Sequence, residues 1–362
     1  MRIGILTFHC AHNYGAVIQC YGLQQYLKSL GHQVVVIDYR PSYFDFYQWT
    51  NVSYAKSGNL LAYLRTKISR LLVNSVGKNR YQSFEDFIKY KLNLAPYMSL
   101  NDSSDYDAII LGSDQIWSPE LTGGNYDDVY FGDNAKCKII SYAASSRTTK
   151  LTEAQRTYLK THLQQIDVIS VRETSLNKLL QPLVNKPITT VIDPSILPDA
   201  KDYELLCKPV SHDTPYVLIY EINRNADTLR IANEIANSIN AEVIELVSYA
   251  SPKFYSKSIK MESGPIDFLS YIKNAACVVT TSFHGMALSL KFQKNFYSIR
   301  QGTNADLRAE SLLSKIGLLD RFIPMNSSVE YSEINYSECL PKLNKEIDSS
   351  KEFLLKALAY ES

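Results

Sequence analysis

The chain has 362 residues, 45% of them hydrophobic and 21% charged, with a net charge of +1. That length predicts about two domains with separate cores, and the near-neutral balance excludes a large nucleic-acid footprint. No apolar run approaches the roughly 20 residues of a membrane span, and the N-terminus opens as a strand rather than a signal peptide, so the expectation is a cytoplasmic protein.

Six scattered cysteines without a Cys-x-x-Cys pair read as free thiols in a reducing compartment. The 26 tyrosines suit half-buried strand positions, and equally the walls of a sugar-binding cleft.

Ile3–Phe8 reads as a first strand, followed by the loop Phe8-His9-Cys10-Ala11-His12-Asn13-Tyr14-Gly15-Ala16 and a helix that stops at Gly31. Val34–Ile37 is the next strand, which makes a β–loop–α–β unit and signals a parallel sheet. The loop has no G-x-G-x-x-G fingerprint. Asn13, Tyr14 and Gly15 instead offer contacts to an acidic or hydroxylated ligand, with His9 as a site wall. His9 and His12, with Cys10 between them, have no third ligand at suitable spacing, so no metal is expected.

Residues 41–96 break the alternation with helix-like stretches around Leu60–Leu72 and Tyr81–Tyr90. Such an insertion covers a sheet edge or cleft. Its Lys56, Arg65, Lys67, Arg70, Lys78 and Arg80 fit a solvated helix face, or else an anionic membrane or a lipid-linked acceptor.

Asp107–Leu111 resumes the sheet and ends at the turn Gly112-Ser113-Asp114-Gln115-Ile116-Trp117, where Asp114, Gln115 and Trp117 bunch as candidate ligand contacts. Ile139–Ala143 and Val168–Val171 are further strands. Arg172, at the end of the latter and the start of a helix, suits a bidentate anion contact. Val191-Ile192-Asp193-Pro194 closes the first half, and the proline-rich stretch Leu197–Pro215 reads as a linker.

The second half repeats the rhythm, with strands Tyr216–Tyr220, Glu242–Val247, Cys277–Thr280 and Phe296–Ile299 and helices Asp227–Ile239, Ile266–Lys273 and Ala305–Ile316. At Ser282-Phe283-His284-Gly285 a polar corner feeds a helix, and Gly285 permits close backbone approach. His284 thereby sits beside backbone N–H groups that favour an anion, either as a proton donor or as a hydrogen-bonded corner residue. Domain boundaries at 1–197 and 215–330 follow, with a helical tail over 331–362.

Taken in order, several segments resemble the polysaccharide pyruvyl transferase family. They are Ile5-Leu6-Thr7-Phe8-His9, Asn13-Tyr14-Gly15-Ala16, Gly112-Ser113-Asp114-Gln115-Ile116-Trp117, Ser141-Tyr142-Ala143-Ala144-Ser145, Val171-Arg172-Glu173, Asp193-Pro194 and Ser282-Phe283-His284-Gly285. The resemblance implies an α/β fold of two Rossmann-like domains facing a cleft, GT-B-like, with the C-terminal helix packing back on the first domain. It also implies a bacterial exopolysaccharide or capsule enzyme. Such an enzyme moves a pyruvyl group from phosphoenolpyruvate (PEP) to two hydroxyls of a sugar, such as galactose in a lipid-linked oligosaccharide, and releases phosphate.

The resemblance implies PEP as the donor substrate and no cofactor. On this reading His284 and Asp114 are the catalytic candidates. Arg172, Arg308, Ser282 and Gly285 hold PEP, while His9, Asn13, Tyr14, Gly15, Gln115 and Trp117 hold the acceptor. Ser282-Phe283 stands where many members have Arg-Leu, which removes one cation that Arg308, Arg300 or Lys291 would replace. The alternatives are a GT-B-type glycosyltransferase using a nucleotide-sugar and a non-catalytic sugar-binding protein of polysaccharide assembly.

Overall fold

The computed structural model describes residues 1–47, 60–97, 99–210, 212–222, 224–254 and 256–359. Lys56 lies outside them. The first half supplies strands β1 (Arg2–Leu6), β2 (Gln33–Asp38), β3 (Leu94–Pro96), β4 (Ala108–Leu111), β5 (Lys138–Ala144), β6 (Val168–Val171) and β7 (Ile188–Thr190). They form one sheet in the order β3-β2-β1-β4-β5-β6-β7. The second half supplies β8 (Tyr216–Glu221), β9 (Glu242–Val247), β10 (Ile259–Lys260), β11 (Cys277–Thr280), β12 (Asn295–Ile299) and β13 (Phe322–Ile323). Their order is β10-β9-β8-β11-β12-β13.

The pairings of both sheets are parallel. Central strands such as β4 and β11 are buried along their whole length, which is why they read as unbroken apolar runs rather than alternating ones. The edge strands β3, β7, β10 and β13 are two or three residues long, too short to carry a period, and they are new to the structure.

The helices, in chain order, are α1 (Tyr14–Ser29), α2 (Leu60–Leu72), α3 (Asn74–Lys91), α4 (Glu153–Gln164), α5 (Thr174–Leu180), α6 (Ala200–Glu204), α7 (Ala226–Ser238), α8 (Pro265–Asn274), α9 (Phe283–Lys291), α10 (Asp306–Ile316) and α11 (Tyr336–Ala359). Asn13 caps α1 by accepting from the N–H groups of Gly15 and Ala16. The stretch read as a linker contains α6, whose Tyr203 is fully buried and donates its hydroxyl to the Ser195 carbonyl at 3.0 Å. It is therefore a packed connection.

α11 returns from the second sheet to the first. The Ile192 N–H donates to Ser350 Oγ at 3.0 Å, and the Phe353 ring lies 6.3 Å from that of Tyr142. The insertion also joins the halves: Arg80 of α3 donates to the carbonyls of Ser263 at 2.7 Å and Ser248 at 3.0 Å. The six cysteines are free thiols, and burial pushes those of Cys10 and Cys277 up to about 12. Among the described residues no helix is long and apolar enough to cross a membrane.

Candidate active site

In an open parallel sheet, ligands bind beyond the carboxyl ends of the strands where the strand order reverses. Here the reversals fall between β1 and β4 in one sheet and between β8 and β11 in the other. The loops leaving those strands face each other across a cleft of about 780 Å³. Phe8, Ala11 and Asn13 follow β1, Asp114 and Gln115 follow β4, and Ile222 follows β8. Thr281, Ser282, Phe283 and His284 follow β11, while Gln301 and Asn304 follow β12.

A buried charged cluster lies behind the cleft wall formed by Asp114, Phe283, His284 and Arg308, and its centre, Arg172, does not itself line the cleft. Arg172, its side chain 2% exposed, pairs through Nη1 with Asp193 Oδ2 at 2.5 Å and through Nε with Glu173 Oε1 at 3.2 Å. Its Nη2 lies 4.0 Å from Asp114 Oδ1 and makes no hydrogen bond. Asp193 also accepts from the Ser195 N–H at 2.9 Å and lies 3.5 Å from His284 Nε2. Burial alone would raise the Asp193 carboxyl, but His284, Arg172 and the Ser195 side chain together hold it far below the usual carboxylate range. Burial would likewise lower Arg172, and Asp193, Glu173 and Asp114 more than offset it.

Arg308 of α10 differs. It keeps part of its surface open to the cleft, and among the described residues it has no ion pair within 4 Å. Burial and the neighbouring Arg172 push it down to about 10, and its Nε has no hydrogen-bond partner. Both guanidiniums lie near the Phe283 ring, that of Arg172 at 5.1 Å and that of Arg308 at 5.8 Å. Two adjacent cations with unused donors, one of them under-compensated, make a site that favours an anion.

α9 adds its N-terminus, capped by Ser282 without a side-chain hydrogen bond. Its second residue, His284, is 6% exposed and carries an Nε2 without a hydrogen-bond partner. Gly285 packs on Thr280, where an added Cβ would meet Oγ1 at 2.5 Å. It sets the helix against its strand and does not line the cleft.

Of the acceptor candidates, Asn13 and Gln115 line the cleft, and Gly15 seats the His284 ring. The other three lie in the core. His9 is fully buried and bonds Asp38 at 2.8 Å and the Thr7 carbonyl at 3.2 Å. Trp117 is 1% exposed, stacks on Phe131 and donates to the Tyr130 carbonyl at 3.0 Å. Tyr14 stacks on Phe268 and donates to the Ser263 carbonyl at 2.8 Å, which ties the two halves together. Their polar atoms are spent on protein partners, so the structure corrects the sequence expectation for all three.

Of the substitutes for the absent arginine, only Arg308 lines the cleft. Arg300 pairs with Glu310 at 3.2 Å and stacks on Phe322. Lys291 lies at the far end of α9 near Asp199 and is pushed down to about 8 by burial.

Four further residues emerge from the geometry. Asp193 joins Arg172 to His284, and Glu173 braces Arg172. Arg147 lines the cleft, donates to Gln115 Oε1 at 3.0 Å and accepts at its carbonyl from Asn304 across the cleft at 3.0 Å. Tyr43 lies on the cleft wall, whereas Tyr130, Tyr142, Tyr203 and Tyr220 are buried core.

The fold is similar to that of the UDP-GlcNAc 2-epimerase of Methanocaldococcus jannaschii, at 13% identity and a TM-score of 0.50, covering 100% of both chains. Weaker likenesses extend to a glycosyltransferase of Streptomyces sp. SF2575 (12% identity, 99% of this chain and 95% of that one, TM-score 0.38) and to the S. aureus MnaA protein with UDP (11%, 98% and 91%, 0.44). No curated protein is a significant sequence relative. Residues 13–302 match the polysaccharide pyruvyl transferase family. The chain thus belongs to that family, a transferase with two parallel-sheet α/β domains in a GT-B-like arrangement.

Proposed function

We propose that the chain transfers the pyruvyl group of PEP to two hydroxyls of a sugar, forming a cyclic ketal and releasing phosphate. The observation that carries this reading is the pair Arg172, buried behind the cleft wall, and Arg308, half-buried on it, both with unused N–H donors and both near Phe283 at the start of α9. PEP brings a carboxylate and a phosphate, and two guanidinium forks with a helix N-terminus match them.

In this account His284 delivers a proton to the methylene carbon, leaving a cation-like centre at the adjacent carbon. One sugar hydroxyl attacks that centre and gives up its proton. The carbon–phosphate oxygen bond then breaks, phosphate leaves under the cover of Arg308, and the second hydroxyl attacks the same carbon to close the ketal, giving its proton to the departing phosphate. Asp193, 3.5 Å from Nε2, orients the imidazole and offsets charge on it. Asp114, on the cleft wall beside Gln115, accepts the hydroxyl proton, and Asn13, Gln115 and Arg147 orient the sugar, with galactose the expected acceptor. None of these steps calls on a group beyond the protein's own side chains. The test is binding: PEP should raise the melting temperature, and nucleotide-sugars should not.

A further inference from the structure

α2 is an amphipathic helix with its apolar face turned outward. Leu60, Leu61, Leu64, Ile68 and Leu71 are all exposed, Leu61 at 79% and Leu71 at 73%. Tyr63, Ser69 and Arg70 on the opposite side are half-buried. At helical periodicity the five apolar side chains fall within an arc of about 100°. Lys67 and Arg65 border that arc, one on each side, about 20° and 40° from its ends. Soluble proteins rarely leave such a contiguous apolar patch to water without a use for it.

We propose that α2 docks the protein on an anionic membrane surface. The helix lies in the interface plane, its leucines enter the acyl boundary, and Lys67 and Arg65 meet lipid phosphates. Charge selects this occupant. Every charged residue from Leu60 to Arg80 is basic, and no aspartate or glutamate intervenes. A two-fold contact between copies through α2 would set those cations against themselves, whereas an anionic lipid surface attracts them. The helix is too short and too basic to insert across the bilayer.

The position also suits the cleft. α2 runs through the buried Val73 into α3, whose Glu85 bonds His12 at 2.7 Å, next to the cleft residue Asn13. Leu72 to Glu85 is about 20 Å of helix, so a membrane under α2 lies within reach of a long acceptor. Docking itself does not depend on which group the cleft transfers.

Co-sedimentation of the full chain with vesicles reads the docking directly. With phosphatidylglycerol mixed into phosphatidylcholine the protein should pellet, with phosphatidylcholine alone it should stay in solution, and salt should release it. The double variant L64Q/I68Q, altering only exposed side chains, should keep its melting temperature and lose about tenfold or more in binding. R65E/K67E should do the same, which keeps the test valid should the first pair fail to fold. No binding to anionic vesicles, or equal binding to both kinds, overturns the proposal. So does a dimer in sedimentation velocity that L64Q/I68Q dissociates while vesicle binding is unchanged.

Discussion

The imidazole of His284 rests on the backbone of Gly15, so closely that a Cβ added at Gly15 would sit 2.0 Å from Nδ1. The two residues come from opposite halves of the chain, one opening α1 and the other opening α9. A side chain on α1 at this point would push the ring off its seat beside Asp193. Gly15→Ala is therefore expected to lower turnover by about tenfold or more, although alanine favours a helix over glycine by roughly 0.5–1 kcal/mol. Steady-state phosphate release from PEP with a galactose-containing acceptor measures it, and wild-type turnover would show that the seat does not matter.

His284→Gln separates a proton donor from a structural corner residue. The variant should keep its melting temperature and most of its PEP affinity while turnover falls by roughly 10²–10⁴-fold. A lower melting temperature with near-normal activity per folded molecule is the signature of a scaffold residue.

The two arginines should respond differently to removal. Arg172→Ala leaves Asp193 and Glu173 buried without their cation, a loss of about 3–5 kcal/mol for a broken buried pair. Lysine should rescue it poorly, since a point charge cannot replace a planar fork. Arg308→Ala relieves a repulsion instead, so the ligand-free protein should melt no lower than wild type while its response to PEP is lost. Ser282→Arg in that background should restore part of the response. A double variant no better than Arg308→Ala alone would count against Arg308 as the compensating cation.

A pH signature should come from Glu221, at the end of β8 beside the cleft residue Ile222. Burial, with Glu245 adding to it, pushes its carboxyl up to about 7 against the accepted Asn225 N–H and the nearby Arg224. A raised carboxyl favours the protonated folded state, so its contribution is fully present below the ordinary value of 4.5 and is lost as pH rises through about 7. Glu221→Gln should accordingly melt like wild type near pH 4.5 and above it at pH 8. Asp193 works in the opposite direction. Its carboxyl is held low, so its contribution is present above about pH 4 and is lost as pH falls below that.

Much of this architecture is legible in the residues. The apolar runs of β1, β4, β8 and β11 and the polar corners after them predict two parallel sheets with ligand loops at their carboxyl ends. The short edge strands are not legible, because pairing with a neighbour and not their own pattern makes them strands. In the site, Arg172 and His284 stand out through their positions at helix starts, whereas Asp193 gains its meaning only when residues distant in sequence converge on it. Trp117 and His9 mislead for a physical reason. A turn does not reveal which way each side chain points, and both rings turn inward to partners that only the folded chain supplies, Phe131 and Asp38.

The central claim, that the paired arginines over α9 receive PEP, is tested most directly by melting the protein with PEP and separately with uridine or cytidine diphosphosugars. A ligand at about one hundred times its dissociation constant stabilises the folded state by about 2.7 kcal/mol, enough to move the melting temperature by several degrees. That rise is expected with PEP, is absent in Arg308→Ala, and is not seen with the diphosphosugars. A rise with a diphosphosugar and none with PEP would contradict the central claim and make the cleft that of a glycosyltransferase.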